Sequence, residues 1–167
     1  DVGSYLFESF GISSSLIFDS EDRTIMGYVE GQRIDNNALH GEILPQVKTL
    51  LDQARDPAFH KTKSTSGFVR IDQTTFLAAA QAIIPKESTT LRQKEYSTLL
   101  LLKSVDQPLL NQLSEAYFLP QFDLSPPGSN STQTGHLLKS FSGEEIGFLH
   151  WQPEQPGRKI FHALAPA

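Results

Sequence analysis

Cysteine is absent from the 167 residues. That excludes disulfides, thiolate metal sites and cysteine nucleophiles. It suits an exported bacterial domain that does without disulfides, and equally many cytosolic proteins. Long apolar runs are missing too. Runs such as Leu99 to Leu102 are far too short to span a bilayer. The opening stretch DVGSYLFESFGI lacks the basic segment and apolar run of a secretory leader, and the 167 residues are expected to be soluble by themselves. Positive charge is in deficit, with 14 Lys and Arg against 19 Asp and Glu and a net charge of −5. The cations are scattered, so no basic stripe offers itself to a phosphate backbone and nucleic acid is not an expected partner. No H-E-x-x-H, G-x-S-x-G or phosphate-loop pattern occurs. No catalytic residue, cofactor or metal is therefore expected.

What remains is the composition of a folded domain: 38% hydrophobic and 20% charged residues, at a length that supports one domain with its own core. VGSYLFESF reads as the last turns of a helix, with Tyr5, Leu6, Ser9 and Phe10 on one face and Gly11 as its C-cap. A helix present from residue 1 without an N-cap leads us to expect a longer helix upstream. SSLIFDS and TIMGYV read as strands of a hairpin turning at SEDR, and EGQRIDNN as a polar loop. In ALHGEILPQVKTLLDQA, Leu39, Ile43, Val47, Leu50, Leu51 and Ala54 recur at helical spacing. Pro45 predicts that the regular part starts near Leu44 or that the helix kinks there.

SGFVRI and TTFLAAAQAII read as two strands joined by a polar turn, PKESTTLRQKE as a polar loop, and YSTLLLLKSV as a buried strand. Asp106 is placed to N-cap QPLLNQLSEAYF, with Pro108 in the first turn and Leu109, Leu110, Leu113 and Tyr117 facing inward. LPQFDLS, GHLLKSFS, EIGFLHW and RKIFHALA complete the chain as strands, with PPGSNSTQT as a loop. Runs of antiparallel strands interrupted by helices predict an α+β fold.

These phrases resemble a bacterial extracytoplasmic sensor domain of the CHASE superfamily, fourth type. The resemblance is carried by VGSYLFESFGISSSLIFDSEDRTIMGYVEGQ, by TSGFVRIDQTTFLAAAQAI, by LLLLKSVDQPLLNQLSEAYFL with Lys103 in the basic position, and most specifically by GFLHWQPEQPG. Gln155 stands where that family usually has arginine, and the family's upstream helix with its Trp-Asp motif would precede residue 1. The resemblance implies a PAS-like, Cache-type antiparallel sheet flanked by helices, as a single domain over residues 1–167. It further implies a periplasmic loop between two transmembrane helices. The receptor would carry a cytoplasmic diguanylate cyclase or phosphodiesterase (hence cyclic di-GMP output) or a histidine kinase. Ligand binding, no catalysis and a homodimer are compatible with it.

Candidate site residues follow from residue type and position. His40, in HGE, imitates a zinc-deaminase motif that lacks its cysteines here, so it reads as a solvated helix-start histidine. His150 and His162 lie on neighbouring expected strands, but two histidines make a poor metal site. The acidic run Asp19–Asp22 has turn chemistry without calcium-loop spacing. Strand alternation puts Leu77, Ala79, Gln81 and Ile83 on one face. Small residues beside Gln81 suit either a pocket floor or close helix packing. Arg70 is either a charge on a half-exposed strand or an anchor for a carboxylate or phosphate. Tyr28 offers a hydroxyl to the same cavity or belongs to the core, and Lys103, at the end of its strand near the start of the next helix, reads as a snorkelling or capping cation. Tyr28, Arg70 and Gln81 are the expected ligand-binding residues. Trp151, Pro153, Pro156 and Gly157 form a structural marker, a stiff turn with the indole anchoring it.

Overall fold

Residues 2–34, 40–56, 64–84, 96–129 and 134–153 are described by the structure, a computed structural model. They form two compact units, Asp1–Val105 with Lys139–Ile146, and Asp106–Leu138 with Gly147–Ala167.

In the first unit, helix α1 (Val2–Phe10) ends where Gly11 takes a φ of 63°. The amide of Gly11 donates to the Phe7 carbonyl and that of Ile12 to Leu6, so the last carbonyls of the helix are satisfied by the glycine-dependent reversal expected from the sequence. Strands β1 (Ser14–Phe18) and β2 (Thr24–Val29) make the expected hairpin. The polar stretch after it contains a further strand, β3 (Gln32–Arg33), paired with Tyr28 and Val29. Two residues carry no periodicity, so only the pairing reveals them.

Helix α2 (His40–Arg55) starts before Pro45 and continues through it. The proline sits on the exposed side, and the missing amide costs one hydrogen bond of a helix held by its buried stripe. That stripe is Ile43, Val47, Leu50, Leu51 and Ala54, all buried. Each of the larger side chains contributes about 1.5–3 kcal/mol of burial.

Strands β4 (Thr65–Ile71), β5 (Thr74–Ala82) and β6 (Thr98–Ser104) complete a six-stranded antiparallel sheet of order β3-β2-β1-β6-β5-β4. Adjacent strands are consecutive in the chain except at the centre, where β6 lies between β1 and β5, and β3 and β4 form the two edges. The face toward α2 carries Leu16, Phe18, Val69, Ile71, Ala78, Ala80, Leu100 and Leu102, which make one core with the helix stripe. The alanines of β5 thus divide between faces. Ala78 and Ala80 admit α2 closely, and Ala79 looks the other way.

A polar clasp fastens the β1–β2 hairpin tip to the end of α2. Asp19 accepts from the amides of Glu21 and Arg23, each at 2.9 Å, which is the turn chemistry expected of it. Arg55 donates to Asp22 Oδ1, to the Asp19 carbonyl at 2.7 Å and to Thr98 Oγ1 at 2.9 Å. Lys48 Nζ lies 3.1 Å from the other oxygen of Asp22. Burial works to raise the Asp22 carboxyl, but the hydrogen bonds from Arg55 and Lys48 outweigh it and hold it below the usual carboxylate range.

The second unit contains helix α3 (Gln107–Tyr117), strand β7 (Asp123–Ser125), and most of β8 (Thr134–Lys139) and β9 (Glu145–Trp151), with β9 between its neighbours. Asp106 caps α3 as expected, its side chain accepting from the Leu109 amide at 3.0 Å. Leu110 is buried, but Tyr117 is 67% exposed, contrary to the inward face expected for it. Its helix reaches only one turn beyond Leu113 and ends at Phe118 in a left-handed conformation. Only Asp123–Ser125 of LPQFDLS is strand. The PKESTTLRQKE loop, the RKIFHALA strand, His162, Pro156 and Gly157 lie outside the described residues.

Candidate functional site

The face of the six-stranded sheet opposite α2 brings the expected small and polar side chains together. Cross-strand register makes one row of Ser66, Ala79, Leu101, Ser15, Tyr28 and Arg33. The adjacent row is Gln81, Leu99, Ile17 and Met26. Directly paired residues share a face, so both rows floor one surface, with Tyr28 and Gln81 near its opposite margins. Three strand steps separate their columns, about 14 Å at the usual spacing. Between them lie Ser15, Ile17, Ala79, Leu99 and Leu101, small or apolar and mostly half-buried.

Among the described residues, the element that packs on this face is α1, held at both ends. At its start Gly3 lies on the ring of Tyr28 so closely that a Cβ there would fall 2.1 Å from the ring. At its finish Lys103 Nζ donates to the Phe10 carbonyl at 2.8 Å. Lys103 is thus a cation on the negative end of α1, not at the start of the following helix, where the sequence had placed it. Ser4 Oγ donates to the Gly31 carbonyl at 3.4 Å. Sequence reasoning singled out neither Gly3 nor Ser4. A glycine inside a helical pattern was the available signal, since it often marks a close approach.

The three expected ligand-binding residues all face this side, but they are not one constellation. Arg70 pairs with Thr75, six residues along β5 from Gln81 and hence about 20 Å away. Its guanidinium is turned on its own hairpin, donating to the Asp72 carbonyl at 3.2 Å and to Gln73 Oε1 at 2.9 Å. Gln81 is exposed and Tyr28 half-buried beneath α1. The surface between Tyr28 and Gln81 therefore offers a phenol, hydroxyls and a carboxamide over an apolar floor, and such groups orient a small molecule by neutral hydrogen bonds.

Trp151 ends β9 half-buried, its ring 6.5 Å from that of Phe122 and tilted by 54°. The next amide, of Gln152, donates to the Pro120 carbonyl at 2.9 Å. The indole thus packs toward the connection between α3 and β7. The turn it was expected to anchor continues outside the described residues. No helix among the described residues is long and apolar enough to cross a membrane.

The family model for the CHASE4 domain matches residues 1–125. The phrase Gly147–Gly157 lies beyond the matched residues, so the match rests on the α1-to-β7 portion of the chain. No curated protein matches the sequence.

Proposed function

Because the chain belongs to the CHASE4 family, whose members are non-catalytic sensor modules of signalling proteins, typically extracytoplasmic, we propose that residues 1–167 form the periplasmic sensor segment of an inner-membrane receptor. In this reading it is flanked by transmembrane helices and binds a small molecule on the sheet face opposite α2. It relays occupancy to a cytoplasmic diguanylate cyclase or phosphodiesterase, or to a histidine kinase. Tyr28 and Gln81 orient the ligand from two sides, and Arg70 is the anchor for an acidic group on a longer one. The observation that supports it is the floor between Tyr28 and Gln81, which α1 borders and which α2 leaves free. Helix α1 is then the moving part, because a ligand on the floor competes with its seat on Tyr28 and biases a two-state equilibrium.

The test is a thermal-shift screen of the chain with amino acids, organic acids, polyamines and nucleobases. A ligand at a hundred times its Kd adds about 2.7 kcal/mol, roughly 5–10 °C for a chain of this size. Gln81→Ala and Tyr28→Phe should cut that shift by half or more. A hit that neither substitution changes would place binding elsewhere.

A second reading, an interaction module that works by homodimerisation without a small ligand, is favoured by Val2, Tyr5, Phe7 and Phe10 of α1, which are 68%, 61%, 40% and 53% exposed. Light scattering separates the two: a blank ligand screen together with a concentration-dependent dimer, lost in Tyr5→Ser/Phe10→Ser, supports the second.

A further inference from the structure

The second unit contains a cleft of about 360 Å³, outside the sheet face discussed above. Its walls are α3, the connection to β7, and β9. From α3 come Gln107, Asn111 and Ser114, at helical spacing along one face. From the connection and β7 come Gln121, Phe122 and Asp123, and β9 supplies His150, which stands directly across from Asp123 in the sheet.

The walls are held in place by contacts that do not use up their polar groups. Ser114 Oγ donates to the Leu119 carbonyl at 2.7 Å, and the Leu119 amide returns to the Ser114 carbonyl at 2.9 Å. Phe118 and Gln121 both carry positive φ, 53° and 56°. Such conformations persist in non-glycine residues only where the surroundings fix them. His150 is stacked on Phe148, with centroids 6.5 Å apart and planes 21° from parallel. Gln107 Nε2 donates to Asn111 Oδ1 at 3.0 Å, which orients both amides and leaves the Asn111 amino group and the Gln107 carbonyl for a ligand. One oxygen of Asp123 accepts from the Leu124 amide at 2.8 Å, and its other oxygen remains an acceptor.

The chemistry of these walls selects its ligand. Among the described residues, no lysine or arginine lines the cleft, so they offer no fork for a phosphate or carboxylate. What converges is three carboxamides, a carboxylate, a hydroxyl, an imidazole and one phenyl ring. Planar groups that present a donor beside an acceptor match adjacent hydroxyls, each of which donates and accepts at once, and the Phe122 ring offers an apolar surface to C–H groups. We infer that this cleft binds a small neutral polyhydroxylated molecule of mono- or disaccharide size.

Trp151, the only indole in the chain, stands 6.5 Å from the cleft residue Phe122 and reports on the site. Titration of the 167-residue chain with glucose, galactose, trehalose and glycerol, followed by tryptophan emission, should give a saturable change for at least one sugar. Asn111→Leu and Asp123→Ala should each weaken it at least tenfold, with an unaltered far-UV circular dichroism spectrum. Gln81→Ala, on the sheet face, should leave it unchanged, which keeps this site separable from the one proposed above. A flat titration with every sugar, a response to putrescine in place of sugars, or sugar binding indifferent to Asn111→Leu overturns the inference.

Discussion

Replacing Arg55 by methionine keeps much of the aliphatic stem and removes one charge and three hydrogen bonds. The side chain of Arg55 is 10% exposed and that of Asp22 15%, so the pair is largely withdrawn from water. Removing one partner of a buried pair costs about 3–5 kcal/mol, because the other charge stays behind uncompensated. Lys48 remains beside Asp22 at 3.1 Å, which favours the lower end of that range. About 3 kcal/mol corresponds to a fall of roughly 6–12 °C in the melting temperature for a chain of this length. Far-UV circular dichroism in urea is the suitable assay, because the only tryptophan lies in the other unit. Asp22→Asn in the Arg55→Met background should recover part of the loss, since it removes the stranded carboxylate and asparagine tolerates the φ of 64° at that position.

The pH dependence of this pair has a definite sign. The Asp22 pKa is depressed in the folded state, so its contribution is present above the unfolded value, about 3.9. It is lost as pH falls through the lower folded value. Wild type and Arg55→Met should therefore differ fully at pH 7, and the difference should shrink as pH falls from about 4 through the lower folded value, leaving only the share of the bonds to Asp19 and Thr98. A loss under 1 kcal/mol at pH 7, or a difference independent of pH, would refute the reasoning and make the clasp an ordinary surface contact.

Three other outcomes are expected. Gly3→Ala, which in an exposed helix stabilises by about 1 kcal/mol, should here destabilise by about 1–3 kcal/mol because its methyl meets the Tyr28 ring, and the sign should reverse in a Tyr28→Ala background, measured by urea denaturation. Asp106→Ala should cost about 1 kcal/mol through loss of the α3 cap, with the change read by Trp151 emission. Tyr117→Ser should alter stability by no more than about 0.5 kcal/mol, as befits an exposed side chain, and a larger loss in thermal denaturation would return Tyr117 to a core.

The parts of the fold that local pattern encodes were legible in the sequence. Ile43, Val47, Leu50, Leu51 and Ala54 repeat at the helical period because one face of α2 is buried, and the β1–β2 and β4–β5 hairpins announced themselves by turn residues between apolar runs. Long-range pairing was not legible. Nothing in the text of Thr98–Ser104 says that β6 enters between β1 and β5, and without that order the three strand steps between Tyr28 and Gln81 cannot be counted. Arg55 passed unnoticed for the same reason, since its partners Asp22 and Thr98 are 33 and 43 residues away. The residues of the polar cleft are a different case. Amides on a helix and a histidine on a strand are common surface side chains, and only the strained connection between α3 and β7 turns them toward one space.

The two-residue strand β3 has a consequence for the behaviour of the chain in a crowded compartment. An exposed sheet edge is a template on which another chain can add a strand, and its danger grows with its length and flatness. Here one margin of the sheet is Gln32 and Arg33, too short to template a stable pairing and marked by a charge. At the other margin Ser140 bridges Phe68, and the ring of Phe141 lies against Gly67. Among the described residues, the sheet thus ends in one short, charged edge strand and one edge partly covered by the Ser140 bridge, two features that work against edge-to-edge addition.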